Sequence, residues 1–163
     1  MEIKEKTDNP VPQMDGNGIP PETVCFVCSG NTCRSPMAAA LFNKIAMEKE
    51  LDARIESAGL FANDGEAASA NSVDAMKDYG IDLSGHRAKN VNAELLEQVD
   101  LALTMTASHK MALKQYLGDK VYTLCEFAGE NGDIPDPYGG DLEEYKICAD
   151  KIYNALLKVA EKI

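Results

Sequence analysis

The chain has 163 residues, 45% of them apolar, which fits one domain with a single closed core rather than two. A net charge of −11 argues against the basic face of a nucleic-acid binder, and no segment has the roughly 20 apolar residues that span a membrane. Five cysteines, an odd number, with no export signal, argue for a reducing cytoplasm and against a disulfide scaffold.

Residues 1–22, MEIKEKTDNPVPQMDGNGIPPE, are polar and rich in Pro and Gly; a disordered tail is expected there, with the domain over 23–163. From Val24 on, apolar runs of strand length alternate with amphipathic stretches of helix length, which predicts an α/β fold on a parallel sheet. The first strand is expected over 24–28 and the first helix over 37–49, separated by a short polar loop, SGNTCRSP. A strand over 53–58 and a helix over 67–79 follow. Next come a short helix over 93–98, a strand over 101–105, a helix over 108–117, a last strand over 120–124 and a closing helix over 142–159. One irregular stretch, AGENGDIPDPYGGD at 128–141, is long enough to be functional or disordered. Ligands of open parallel sheets bind beyond the carboxyl ends of the strands, and the loops after Cys28 and around Asp136 are both expected at that end.

The loop after the first strand admits several chemistries. Cys25 and Cys28 have the spacing of half a zinc knuckle, yet Phe26 and Val27 continue an apolar strand, on which residues three apart point to opposite faces. That argues against a metal and against a redox-active thiol pair, and leaves Cys25 as a buried core thiol. A Walker loop would need a second glycine and a lysine that are missing.

The remaining chemical reading is a nucleophilic thiolate in an anion cradle, with five residues between Cys28 and Arg34. A loop this short at a helix N-terminus can turn successive N–H groups inward as a nest. Gly30 and Asn31 tolerate the left-handed conformations such a turn needs, Ser35 is expected to cap the helix, and Pro36 suits its first turn. The planar fork of Arg34 can hold two phosphate oxygens at once, and with the nest it favours the thiolate of Cys28. This supplies the local positive field that an acidic chain needs to bind an anion. The plainer alternative is a strand-to-helix loop around a core cysteine; a strand before, a helix after and small polar filling favour catalysis.

With these residues the chain resembles the low-molecular-weight protein tyrosine phosphatase family. The family signature V-C-x-G-N-x-C-R-S-P is met at Val27, Cys28, Gly30, Asn31, Cys33, Arg34, Ser35 and Pro36. A second family feature, Asp-Pro plus an aromatic in a late loop, is met at Asp136, Pro137 and Tyr138, and Ser57-Ala58-Gly59 and His86-Arg87-Ala88 are lesser echoes. The resemblance implies a three-layer α/β/α fold with a four-stranded parallel sheet. It also implies a cytoplasmic monomer that acts on phosphorylated protein, releases inorganic phosphate, and uses no cofactor or metal, no nucleic acid and no membrane.

It further implies a two-step mechanism. Cys28 attacks phosphorus, Arg34 and the nest stabilise the equatorial oxygens, and Asp136 protonates the leaving atom and then activates water. Ser29, Gly30, Asn31, Thr32, Cys33, Ser35 and Tyr138 are the residues expected around the substrate. Asp133 and Asp141 compete for the acid role, but Pro137 restricts Asp136 to extended conformations that fix its aim. By family likeness the Ser35 hydroxyl donates to the nucleophile, Asn31 fixes the loop shape, and Cys33 either pairs with Cys28 under oxidation or packs beneath the loop. His86 is read as a hydrogen-bonding support, His109 as a residue of an exposed helix, and Cys125 and Cys148 as structural. Phosphotyrosine ranks first as substrate. Phosphoarginine follows closely, because Ser29 and the run from Asp136 to Gly140 also resemble the bacterial branch that acts on arginine. Arsenate reduction would need a relay pair of downstream cysteines, and a phosphate-binding module would have no use for Asp136.

Overall fold

The computed structural model describes residues 20–163, so the tail expected over 1–22 lies almost wholly outside the described residues. Four parallel strands, β1 (Thr23–Cys28), β2 (Arg54–Gly59), β3 (Leu101–Thr104) and β4 (Val121–Thr123), form one sheet in the order β2-β1-β3-β4. The α-helices among the described residues are α1 (Arg34–Glu48), α2 (Ala70–Lys77), α3 (Ala93–Gln98), α4 (Ala107–Leu117), α5 (Leu124–Ala128) and α6 (Leu142–Ala160).

β1 shows why its sequence reads as one apolar run: every residue of TVCFVC is buried, because helices cover both faces of the sheet. Val24, Phe26 and Cys28 join the core beneath α1 and α6, whereas Cys25 and Val27 join the core beneath α3 and α4. The period of two along the strand thus puts Cys25 and Cys28 on opposite faces. Burial pushes the Cys25 thiol up to about 12, so it stays protonated as a core side chain. On the other face Phe26 meets Phe42 of α1 edge to face, with ring centroids 5.7 Å apart. The apolar stripe of α6, Tyr145, Cys148, Ala149, Ile152, Leu156 and Val159, closes that layer at helical spacing.

The strand order places the site. The chain leaves β1 through α1 to β2 on one side, and β3 lies on the other side of β1, so the connections diverge at the carboxyl end of β1. That divergence opens the crevice in which doubly wound sheets bind ligands.

Several boundaries differ from those expected. α2 starts at Ala70 instead of 67 because Ser69 caps it, accepting from Ser72 N–H. Leu124 ends no strand; it opens α5, under a capping box between Thr123 and Glu126. α1 starts at Arg34, three residues early, so Ser35 is not its cap. Cys33 holds the cap position and offers no side-chain bond there, while Pro36 lies within the first turn.

Candidate active site

The loop from Ser29 to Cys33 is shaped by what its carbonyls bind. Cys28 O accepts from Leu60 N–H at 3.0 Å, Ser29 O from Phe61 N–H at 2.9 Å, and Thr32 O from Ser69 N–H at 2.9 Å. Asn31 O pairs with His86 Nε2 at 2.8 Å. These bonds tie the loop's carbonyls to the segment after β2, to Ser69 and to His86. Of the two residues expected to permit the turn, Asn31 takes the left-handed conformation, at φ +57°.

Asn31 is fully buried, and its side chain holds that conformation in place. Its Oδ1 accepts from Lys89 N–H at 2.9 Å, and its Nδ2 donates to Ser35 Oγ at 2.8 Å and to Ser57 Oγ at 3.0 Å. Ser35 Oγ in turn lies 2.9 Å from Cys28 Sγ. Because Asn31 donates to the Ser35 oxygen, the Ser35 hydroxyl proton is left for the two acceptors beside it, Cys28 Sγ and, at 3.5 Å, Ala58 O. That is the physical reason this serine does not cap α1.

Arg34 is 4% exposed and reaches the late loop. It donates to Ile134 O at 2.9 Å and lies 3.6 Å from an Asp136 carboxylate oxygen. The late loop is itself anchored: Ile134 is fully buried, and its N–H bonds to Met105 O at the end of β3. Asp136 Oδ1 accepts from Tyr138 N–H at 3.0 Å, an Asx turn that leaves its other oxygen toward Arg34. The rival carboxylates are engaged elsewhere. Asp133 accepts from Ala107 N–H at the start of α4, and Asp141 caps α6 in a capping box with Glu144. The structure thus pairs Cys28 with Ser35 at the end of β1 and Arg34 with Asp136 of the late loop, and leaves Tyr138, two residues beyond Asp136, 80% exposed.

Three further residues shape this site and escape a reading of the sequence. Gly59 ends β2 against the loop: a Cβ there would lie 2.5 Å from Ser29 O and 3.0 Å from Asn31 N. Its place in Ser57-Ala58-Gly59 was the only hint. Gly59→Ala is expected to lower kcat/KM about a hundredfold by displacing the loop; wild-type kinetic constants would mean the loop has room. Phe61, 81% exposed, projects from the segment that hydrogen-bonds Ser29. His109 is the correction. It is only 5% exposed rather than solvated, because α4 begins over the carboxyl end of the sheet, and its Nε2 lies 2.9 Å from Ser29 Oγ. His86 supports the loop through Asn31 O, and burial holds its imidazole below the usual range.

The family model for low molecular weight phosphotyrosine protein phosphatase matches residues 23–163. The chain belongs to that family. It is 40% identical over 144 residues to a protein-arginine-phosphatase of Bacillus subtilis, covering 86% of this chain and 95% of that one. It is also 40% identical over 125 residues to the low molecular weight protein-tyrosine-phosphatase PtpB of Staphylococcus haemolyticus, covering 76% and 86%. A low molecular weight protein tyrosine phosphatase structure from T. tengcongensis superposes with a TM-score of 0.83 at 45% identity, covering 86% and 99%. The YwlE arginine phosphatase, in a cysteine-to-serine variant with a phosphorylated active-site serine, superposes at 0.81 with 40% identity, covering 85% and 93%.

The remaining cysteines of this phosphatase are free thiols set into its core. Cys33 Sγ lies 3.4 Å from Tyr145 Oη and 3.5 Å from Ser69 Oγ, so in this structure it packs beneath the loop. Burial pushes the Cys148 thiol up to about 12 and raises that of Cys125 as well. No helix of the described residues is long and apolar enough to cross a membrane.

Proposed function

We propose that this phosphatase dephosphorylates protein side chains through a phosphocysteine on Cys28, and that phosphoarginine is its preferred substrate. The observation that carries the mechanism is that the Cys28 thiol ends β1 against Ser35 Oγ, while Arg34, six residues on in the same segment, is buried and lies beside the Asp136 carboxylate. In the first step the Cys28 thiolate forms the S–P bond as the bond from phosphorus to the leaving atom breaks. Asp136 gives its proton to that atom, and the nest amides with Arg34 hold the three equatorial oxygens. In the second step Asp136 takes a proton from water, the water oxygen bonds to phosphorus, and the sulfur departs as thiolate, stabilised by the Ser35 hydroxyl. Phosphorylation of the active-site serine in the YwlE variant supports a covalent phosphoryl intermediate.

Phosphoarginine stands ahead of phosphotyrosine here, reversing the order that the motif alone suggests. Gly139 has φ +85° in the turn closed by Gly140 N–H and Pro137 O, so a second aromatic at 139, as in family members that face tyrosine, would be strained. The late loop therefore offers Tyr138 alone as an aromatic wall. The net charge of −11 favours the approach of a guanidinium-bearing side chain over that of a neutral phenol ring. Relatives named protein-arginine-phosphatase support the same choice by extent, at 40% and 38% identity over 86% and 88% of the chain against 40% over 76% for PtpB of Staphylococcus haemolyticus. The test compares kcat/KM on one peptide carrying phosphoarginine or phosphotyrosine. Phosphoarginine is expected to be favoured by about tenfold or more. Preference for phosphotyrosine would reverse the assignment, and hydrolysis of neither would remove it.

A further inference from the structure

Buried beside the nucleophile loop is a histidine that the mechanism above does not use. His109 lies in the first turn of α4, where Thr106 Oγ1 accepts its N–H and Asp133 holds the neighbouring Ala107 N–H. The same late loop that carries Asp136 therefore fixes where the imidazole sits. Nε2 lies 2.9 Å from Ser29 Oγ, and Ser29 directly follows Cys28. Nδ1 is buried and has no hydrogen-bond partner among the described residues.

That asymmetry selects a tautomer. A buried N–H without an acceptor is rarer and more costly than a bare ring nitrogen, so the proton belongs on Nε2 and the orphaned Nδ1 carries only its lone pair. His109 then donates to Ser29 Oγ. The serine oxygen accepts that bond, and its own hydroxyl proton must point away from the imidazole. A second proton on the ring would leave Nδ1–H stranded. Burial and the nearby Arg34 guanidinium both hold His109 below the usual imidazole range, against the opposing pull of Asp133 and Asp136.

We propose that His109 is a positioning residue: its Nε2–H holds the Ser29 oxygen so that the Ser29 hydroxyl is presented as a donor to the phosphorylated group bound at Cys28. The proposal rests on the reading of Cys28 as the nucleophile and adds a device that sets how the substrate is held next to it. Ser29 is only partly buried, and the one contact of its hydroxyl among the described residues is His109 Nε2. Without the imidazole the hydroxyl would rotate among its staggered positions and lose part of its donation.

The test is a set of variants in the full chain. His109→Leu and Ser29→Ala are each expected to lower kcat/KM on the better peptide substrate by about ten- to a hundredfold, the loss of one hydrogen bond to a charged group. The double variant should be no worse than Ser29→Ala alone, because His109 acts through Ser29. Gln places its amide nitrogen where Nε2 stands and Asn does not, so His109→Gln should recover most of the loss and His109→Asn should not. Additive losses, or Gln as poor as Leu, would overturn the proposal. A readout independent of activity is the long-range 1H–15N spectrum of the wild-type protein at neutral pH. It should show His109 protonated on Nε2 alone, and a proton on Nδ1 would overturn the proposal even if the Leu variant fails to fold. Hydrolysis that vanishes in Cys28→Ser but is indifferent to His109→Leu sinks this inference alone. Hydrolysis that survives Cys28→Ser sinks the reading beneath it.

Discussion

Cys28→Ser is expected to reduce turnover by about 10⁴-fold or more on every phosphorylated substrate, while leaving the fold intact. The exchange is nearly isosteric, and Ser35 Oγ, 2.9 Å from Sγ, can bond a hydroxyl as readily as a thiol, so the loop has no reason to move. The chemistry changes in two ways. A serine hydroxyl is a far weaker acid and a poorer nucleophile than a thiol, so attack is slow. Once formed, a phosphoserine has a much poorer leaving oxygen than the sulfur of phosphocysteine, so the second step is slower still. The variant should therefore gain the mass of one phosphoryl group, mapped to residue 28, during prolonged incubation with substrate. Mass spectrometry beside steady-state kinetics checks both. Turnover close to wild type would remove Cys28 from the mechanism.

Asp136→Asn should lower kcat by about 10²–10⁴-fold, the usual reach of a positioned general acid. Asn preserves the local geometry, because its Oδ1 can still accept from Tyr138 N–H and keep the Asx turn. What it loses is the proton. The loss should accordingly depend on the leaving group. It should be largest for a peptide substrate, whose departing atom must be protonated, and small for an aryl phosphate whose phenol is acidic enough to leave unaided. A uniform loss across leaving groups would indicate damage to the loop, and unchanged turnover would assign the acid role elsewhere. Asp133 and Asp141 are poor heirs to it, since each is committed to the first turn of a helix.

Both predictions turn on residues that the sequence singles out, and the reason lies in local covalent order. Cys28, the loop and Arg34 form one uninterrupted segment, so strand, nest and helix start follow from residue types read in order. The separation of Cys25 from Cys28 is equally local, because strand pleating alone puts them on opposite faces. The first helix begins at Arg34, three residues before its expected start, for a non-local reason. Ser35 has the composition of a cap, but its hydroxyl is claimed by Cys28 and by Asn31, which itself reaches Ser57 on β2. A side chain with two possible tasks is assigned by whichever partner the fold brings near.

The sequence by itself determined the α/β alternation, the parallel sheet and the unbroken run of strand, polar loop and helix start from Cys28 to Arg34. These depend on periodicity and on short spacings, which survive without coordinates. Only the tertiary structure decided the rest. It showed that Gly59 must lack a Cβ because two loop atoms crowd it, and that Asp133 and Asp141 are occupied while Asp136 lies beside Arg34. It also turned His109 from a residue of an exposed helix into the buried partner of Ser29, 80 positions away. The physical reason is the same in each case. A contact between distant residues depends on where the sheet order brings their segments, and no local pattern encodes that approach.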